Sequence, residues 1–194
     1  MNEGQSAHRP CVIIPPYNNP VTIRRVVLAV REHVPDVIVV DDGSAEEGRA
    51  AIAALAEEGI ATVHHRTRNG GKGAAVKDAL RLARDAGFTH ALQVDADGQH
   101  TLTDIPRMLS ASRAAPAALV LGMPVFDETA PKARVVGRRI TIFWTRLEVG
   151  GGAIADPMCG FRIYPLPISA DVTVWGDRMD FDPEIAVRLV WEGV

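Results

Sequence analysis

The stretch THALQVDADGQH, residues 89–100, joins an apolar run to a polar turn. Residues 89–94 are predicted to form a buried strand, which is followed by Asp95, Asp97 and Gln99 at alternate positions. Because alternate side chains of an extended chain lie on the same side, the two carboxylates repel each other unless a cation lies between them. A hard divalent cation fits this pattern and keeps positions open for substrate phosphates. A solvated Asp-Gly turn is the simpler alternative, and the neighbouring motifs distinguish the two.

The composition is typical of a single globular domain. With 194 residues, 47% of them hydrophobic and 23% charged, the chain is long enough to bury a core. Residues 1–10 are polar and are predicted to form a disordered tail, which leaves residues 11–194 as one domain. The tail lacks the apolar segment of a signal peptide, and no apolar run approaches the roughly 20 residues that span a bilayer.

The net charge and the cysteine content indicate which partners and which cellular compartment to expect. The net charge of -3 gives no basic field, so nucleic acid is not expected as a partner. Cys11 and Cys159 form no C-x-x-C pair and indicate no disulfide framework. A reducing compartment, the cytoplasm, is therefore predicted.

Apolar runs alternate with helical patterns along the chain. Strands are predicted at 11–14, 37–40, 60–64, 89–94 and 117–121, and helices at 21–33, 50–58, 74–86, from 103, at 132–149 and at 179–191. Residues 124–131 and 165–176 are predicted to be loops. This alternation predicts an α/β fold with a mainly parallel sheet flanked by helices.

Four polar segments follow four of the predicted strands: Pro15–Asn19, Asp41–Ser44, Asn69–Gly73 and Asp95–Gln99. Ligands of a parallel sheet bind outside the carboxyl ends of its strands, so all four segments are expected to line one crevice. Tyr17 and the prolines offer a flat wall for a base, from which Asp42 can accept a ring N–H. Lys72, between glycines at a helix start, can approach phosphate. With a metal at Asp97, these parts predict a nucleoside-diphosphate site.

Three common phosphate- or metal-binding motifs are excluded, because the chain lacks a residue that each motif requires. A Walker A motif needs Ser or Thr after its lysine, but Gly73 follows Lys72. The Rossmann fingerprint needs G-x-G-x-x-G after the first strand, which here ends in prolines. An EF-hand loop beginning at Asp95 needs Glu at its twelfth position, where the chain has Pro106.

Taken together, the motifs resemble the family 2 glycosyltransferases with the GT-A fold, over residues 12–193. The matching pieces are IPPYN at 14–18, VVDDGS at 39–44, NGGKGAA at 69–75, DADGQH at 95–100 and CGFR at 159–162. The last two are most similar to the polyprenyl-phosphate (dolichyl-phosphate mannose) synthase branch. The resemblance implies a Rossmann-like GT-A domain with a nucleotide-binding half at about 11–122 and an acceptor-side half at about 123–194.

The resemblance also implies an activity. It is the metal-dependent, inverting transfer of a hexose from a UDP- or GDP-sugar to a lipid-linked or phosphate acceptor, with Mg²⁺ or Mn²⁺, at the inner face of the membrane. The implied nucleotide contacts are Pro15, Tyr17, Asn19, Asp42, Lys72 and Asp95. The implied metal ligands are Asp95, Asp97 and Gln99, and the implied acceptor contacts are Arg134, Arg138 and Arg162.

The catalytic roles depend on the acceptor. Lys72 and a metal at Asp97 would neutralise the leaving diphosphate. A hydroxyl acceptor needs a base, for which Asp156 is the candidate, whereas an ionised phosphate needs none and leaves Asp156 to position the sugar or Arg162.

Three further alternatives stay open at this point. The helix around 134–146 is either an ordinary charged face or an interfacial helix over lipid headgroups. A sugar-nucleotide nucleotidyltransferase is a second function, although it usually carries a glycine-rich basic loop where this chain has prolines. A non-catalytic nucleotide-sugar-binding protein is a third.

Overall fold

The computed structural model describes residues 8–124, 132–151 and 154–194, with only the backbone of 132–136. The strands are β1 (Pro10–Ile14), β2 (Val37–Asp41), β3 (Thr62–His65), β4 (His90–Gln93), β5 (Val120–Leu121) and β6 (Arg162–Pro165). The helices are α1 (Ile23–Arg31), α2 (Glu46–Glu57), α3 (Lys72–Asp85), α4 (Ile105–Ala114), α5 (Lys132–Glu148), α6 (Ile168–Asp171) and α7 (Phe181–Trp191). Parts of the predicted loop at 124–131 and of the glycine run at 150–152 lie outside the described residues.

The strands form one six-stranded sheet in the order β3-β2-β1-β4-β6-β5. The pairs β3-β2, β2-β1 and β1-β4 are parallel, and β6 runs antiparallel to both β4 and β5. The predicted α/β fold with a mainly parallel sheet is confirmed. The predicted fifth strand at 117–121 is reduced to two residues at the sheet edge.

Strand β6 was not predicted from the sequence. It begins with a charged residue, Arg162, and ends with Pro165, a pattern that does not indicate a central strand. All four of its residues are nevertheless buried. The structure accommodates the charge because the Arg162 guanidinium donates to the backbone carbonyls of Cys159, Pro157 and Asp182.

The core lies on both faces of the sheet, because the buried strands alternate their side chains between them. Val12 and Ile14 pack with α1, α2 and α4 on one face. Cys11 and Ile13 pack with α3, α6 and α7 on the other. Both cysteines are free thiols, and burial raises the pKa of Cys11 to about 12, so it is an inert core residue.

The amino-terminal end packs onto the sheet from His8 onward, and residues 1–7 of the predicted tail lie outside the described residues. The His8 ring stacks on the His90 ring with centroids 4.3 Å apart, and its Nε2 lies 3.0 Å from Ser112 Oγ. Burial lowers the pKa of both histidines, and their mutual proximity lowers that of His8 further.

This histidine pair predicts loss of stability in mild acid. Because both pKa values are lower in the folded than in the unfolded state, the unfolded chain binds more protons as the pH falls through about 6.5. The unfolding free energy, measured by urea titration, should therefore decrease between about pH 8 and about pH 5.5. The His8→Gln/His90→Gln double variant should show a smaller decrease. An equal decrease in both proteins would contradict the assignment.

Candidate active site

A cleft of about 630 Å³ lies where the parallel strands β1 and β4 reach their carboxyl ends. Most of the predicted site residues line it: Pro15, Tyr17, Asn19, Lys72, Asp95, Asp97, Gln99 and Arg138. The side chains of Asp42, Asp156 and Arg162 are instead buried in the protein. The Arg134 side chain lies outside the described residues.

The wall formed by Pro15, Tyr17 and Asn19 is held in place by Asn18, which lies within the same segment. Asn18 adopts a left-handed φ of 56°, a conformation that asparagine tolerates better than most residues. Its backbone N–H donates to Ser44 Oγ at 2.9 Å, and its side-chain Oδ1 accepts from Ala45 N at 2.8 Å. The Tyr17 side chain is left about half exposed beside the cleft. It is therefore available as a stacking surface.

Asp42 connects the loops around the cleft. Its Oδ1 accepts hydrogen bonds from Arg66 Nη1 and Gly70 N, and its Oδ2 accepts one from Gly71 N. The carboxylate is 2% exposed and fixes the glycine-rich loop through these three hydrogen bonds. Because a carboxylate has about four acceptor positions, its contact with a nucleobase stays a prediction. Arg66, which completes the arrangement, was not identified from the sequence because it lies in no recognisable motif.

Lys72 and Asp95 form an ion pair at the base of the cleft. Lys72 Nζ lies 2.8 Å from Asp95 Oδ1 and 3.0 Å from Oδ2. Burial alone would lower the pKa of Lys72, but the carboxylates of Asp182 and Asp95 raise it above its ordinary value. Burial favours protonated Asp95, yet Lys72 and then His100 bring its pKa below the ordinary value. Both groups are therefore charged at neutral pH.

His100 supports Asp95 from the other side of the turn. Asp95 N donates to His100 Nδ1 at 3.3 Å, and His100 Nε2 lies 3.5 Å from Asp95 Oδ2. Burial lowers the pKa of His100, although Asp95 opposes the shift. With Nδ1 accepting, the neutral ring carries its proton on Nε2, directed at the carboxylate. His100 thus orients Asp95.

Asp97 is the carboxylate of the motif that the structure leaves exposed at the cleft. Its Oδ1 accepts a hydrogen bond from Gln99 N at 2.9 Å, which forms the turn. In the described part of the chain, no three His, Cys, Asp or Glu side chains converge into a metal-binding group. The oxygen donors of Asp97 and Gln99 nevertheless fit Mg²⁺ or Mn²⁺, because such ions commonly use one or two carboxylates and complete their shell with phosphates and water.

Gly160 packs directly over the Lys72–Asp95 pair. A Cβ at this position would lie 2.5 Å from Lys72 Nζ and 2.9 Å from Asp95 Oδ2. The glycine of the CGFR motif is therefore required by the ion pair. The sequence shows the motif but not what the glycine contacts.

Gly160→Ala is expected to weaken nucleotide binding more than it weakens the fold. The methyl group displaces the movable end of Lys72, so the unfolding free energy should fall by no more than about 1–2 kcal/mol. Gly73→Ala is the contrasting variant, since its Cβ would lie 2.4 Å from Phe181 Cβ in the core and should cost more stability. Urea unfolding and calorimetric titration with UDP or GDP measure the two effects. Unchanged nucleotide affinity in Gly160→Ala would contradict the predicted contact of Lys72 and Asp95 with the nucleotide.

Arg138 brings α5 to the cleft and pairs with Asp156. Arg138 Nε lies 2.5 Å from Asp156 Oδ2, and Asp156 Oδ1 accepts from Met158 N at 3.0 Å. Asp156 is 4% exposed. The structure therefore presents the arginine to the cleft and keeps the carboxylate behind it.

Arg162 is fully buried beneath the cleft. Its donors are taken by carbonyls of the 157–159 segment and of Asp182, so the structure does not bring this side chain to an acceptor. It instead holds the CGFR turn and the start of α7 together.

Comparisons with known proteins identify the family. The family model described as Glycosyl transferase family 2 matches residues 11–166. Polyprenol monophosphomannose synthase of Mycolicibacterium smegmatis is 33% identical over 80% of this chain and 61% of the relative. Undecaprenyl-phosphate mannosyltransferase of Micrococcus luteus is 39% identical over 80% of this chain and 66% of the relative. The chain thus spans somewhat less than two thirds of the length of these relatives.

Solved structures of other proteins have the same fold as this chain. Glucosyl-3-phosphoglycerate synthase from Mycobacterium tuberculosis, in complex with UDP, superposes with a TM-score of 0.62 at 19% identity. The match covers 82% of this chain and 57% of that protein. A second structure of the same enzyme holds Mn²⁺, UDP and glucosyl-3-phosphoglycerate, with a TM-score of 0.61. The chain therefore belongs to glycosyl transferase family 2 and has the GT-A fold that its motifs predict.

Proposed function

We propose that this chain is a metal-dependent, inverting glycosyltransferase domain that moves a hexose from a nucleoside-diphosphate sugar to a polyprenyl-phosphate acceptor. The observation that carries the proposal is the meeting of Tyr17, Lys72, Asp97 and Arg138 in one cleft. These residues supply a stacking surface, a partly buried cation, an exposed carboxylate and an arginine. The names of the two mannosyl-transferring relatives support the acceptor class.

The donor side follows from the chemistry of a diphosphate. Tyr17 offers its ring to the base, and the start of α3 directs Lys72 toward the phosphates. Asp97 and Gln99 would hold Mg²⁺ or Mn²⁺, which supplies positive charge to the leaving diphosphate when bound. The partly buried ammonium of Lys72 is already in place, so little reorganisation is needed as negative charge develops.

The acceptor side favours a phosphate. Arg138 presents a planar guanidinium that suits phosphate oxygens. An ionised phosphate attacks without a base, and the buried pairing of Asp156 with Arg138 fits a positioning role. We therefore assign Asp156 to orienting Arg138.

A donor screen tests the proposal. UDP- and GDP-sugars, with and without Mn²⁺, are expected to raise the melting temperature, because a ligand at a hundred times its Kd adds about 2.7 kcal/mol of stability. The stabilising donor should then transfer its sugar to polyprenyl phosphate in detergent with inverted anomeric configuration. Pyrophosphate release from a nucleoside triphosphate would indicate a nucleotidyltransferase instead. Donor binding without transfer or hydrolysis would indicate a non-catalytic binding protein.

The outer face of α5 supports contact with a lipid surface. Ile140, Phe143, Trp144 and Leu147 recur at helical spacing, and each is more than half exposed. The exposed Arg139 and Arg146 flank them, which complements anionic headgroups. None of the helices in the described ranges is long and apolar enough to cross a membrane. We propose that this face rests on an anionic bilayer.

Trp144→Glu/Leu147→Glu should reduce binding to vesicles severalfold, because two charges replace buried apolar area at the interface. Co-sedimentation with vesicles containing about 30% anionic lipid measures the bound fraction. Val21→Glu, at a highly exposed apolar position outside α5, is the matched control and should bind like the wild type. Equal binding by all three proteins would refute the surface.

A further inference from the structure

Asp182 is a second buried carboxylate beside Lys72, and it comes from the carboxyl-terminal part of the chain. It lies in the first turn of α7, is 3% exposed and lines the cleft. Its Oδ2 lies 3.3 Å from Lys72 Nζ. Its buried Oδ1 makes no hydrogen bond and lies 3.5 Å from Arg162 Nη2. An incompletely satisfied buried carboxylate costs stability, so its presence calls for a function.

Lys72 lies between two carboxylates that come from different parts of the fold. Asp95 follows β4 and contacts Nζ at 2.8 Å, whereas Asp182 reaches it from α7. Either carboxylate can balance the single charge of Lys72. Arg162 adds a fully buried cation next to Asp182, so the cluster holds two positive and two negative groups. The net charge of the cluster is therefore zero before any ligand binds.

The distance between Lys72 and Asp182 is fixed by the backbones of α3 and α7. A Cβ on Gly73 would lie 2.4 Å from Phe181 Cβ, so the two helix starts are in direct contact. Ala74 N also donates to Asp177 O at 3.0 Å, just before α7. Asp95, by contrast, lies in the turn that leads to Asp97 and the donor side of the cleft. Asp182 is therefore the partner of Lys72 that does not depend on the conformation of this turn.

We propose that Asp182 is a positioning residue that keeps the Lys72 ammonium in place and directed into the cleft while the donor binds. The inference rests on the proposed function, in which Lys72 approaches the leaving diphosphate. Because Asp95 lies in the same turn as Asp97, binding of the donor and its metal at Asp97 can change the contact between Asp95 and Lys72. The contact with Asp182 stays, because it is fixed by the packing of α3 on α7.

Asp182→Asn tests the proposal, with Asp180→Asn as the matched control. Asp180 is exposed and lies two residues earlier at the same helix start. We expect Asp182→Asn to reduce kcat by roughly tenfold to a hundredfold with little change in the KM of the donor. Asp182→Glu should restore part of the activity, and Asp180→Asn should behave like the wild type.

A second measurement reports on Lys72 without turnover. The chain has three lysines, Lys72, Lys77 and Lys132, so the ¹⁵N-labelled side-chain ammonium signals can be assigned with Lys72→Arg. The NMR order parameter of the Lys72 ammonium should fall in Asp182→Asn and stay unchanged in Asp180→Asn. A loss of order without detectable transfer in the wild type supports the role of Asp182 and counts only against the proposed function.

Two results would overturn the proposal. One is an unchanged Lys72 order parameter and an unchanged kcat in a folded Asp182→Asn protein. The other needs no variant, and so stands even if Asp182→Asn fails to fold. It is a wild-type Lys72 ammonium as mobile as that of a solvent-exposed lysine, since that would show that Asp182 does not hold it.

Discussion

Asp97→Asn is expected to abolish both sugar transfer and metal-dependent donor binding. Asparagine keeps the shape of the side chain and the oxygen that accepts from Gln99 N, but removes the charge. A metal-bound diphosphate draws several kcal/mol of stabilisation from such a site, so kcat/KM should fall on the order of 10³-fold. Because Asp97 is exposed, the substitution should change the unfolding free energy of the protein by less than about 0.5 kcal/mol.

Calorimetric titration with UDP and GDP distinguishes the loss of metal-dependent binding from a general loss of folded protein. In the wild type, Mn²⁺ should tighten nucleotide binding, and in Asp97→Asn its addition should make little difference. Asp104→Asn serves as control, because Asp104 is also exposed and follows in the same connection between β4 and α4. If Asp97→Asn retained Mn²⁺-dependent binding and turnover, the metal would have to be held by other residues and the proposed donor site would be wrong.

The parallel part of the sheet was predictable because its signals are local. Strands β1, β2 and β4 are short apolar runs, each followed by a polar turn, and helices fill the intervals between them. This alternation leaves few arrangements other than a parallel sheet with its loops at one edge. The placement of the Tyr17, Lys72 and Asp97 segments around one cleft follows from the same rule.

Strand β6 and the pairing of charges were not predictable, because both depend on contacts distant in sequence. Arg162 looks like an acceptor-binding residue in the motif, yet the carbonyls that surround it make it a buried support. Asp42 and Asp97 each follow a strand, and the sequence alone does not distinguish their environments. Only the structure shows that Arg66 and two glycine N–H groups donate to Asp42, whereas Asp97 faces the cleft. Residue type sets the possible chemistry, whereas the fold decides which side chain is available for it.

Arg138→Met should raise the KM for the acceptor roughly a hundredfold and leave the KM for the donor nearly unchanged. A guanidinium that binds phosphate contributes several kcal/mol through charged hydrogen bonds, and methionine keeps only the apolar stem. The variant also leaves Asp156 buried without its cation, which should lower the unfolding free energy by about 3–5 kcal/mol. Acceptor kinetics and urea unfolding are therefore measured on the same preparations, at a temperature where the variant stays folded.

Asp156→Asn then decides between the two roles of Asp156. If Asp156 orients Arg138, the asparagine variant should lose about tenfold in acceptor affinity with an unchanged pH profile. The Arg138→Met/Asp156→Asn double variant should transfer no worse than Arg138→Met and should be more stable, since it no longer buries an unpaired carboxylate. If Asp156 were the general base, Asp156→Asn would instead reduce kcat and remove the acidic limb of the profile. The fold-reductions in kcat/KM of Asp156→Asn and Arg138→Met would then multiply in the double variant, because two groups that act independently in the transition state give additive free energies.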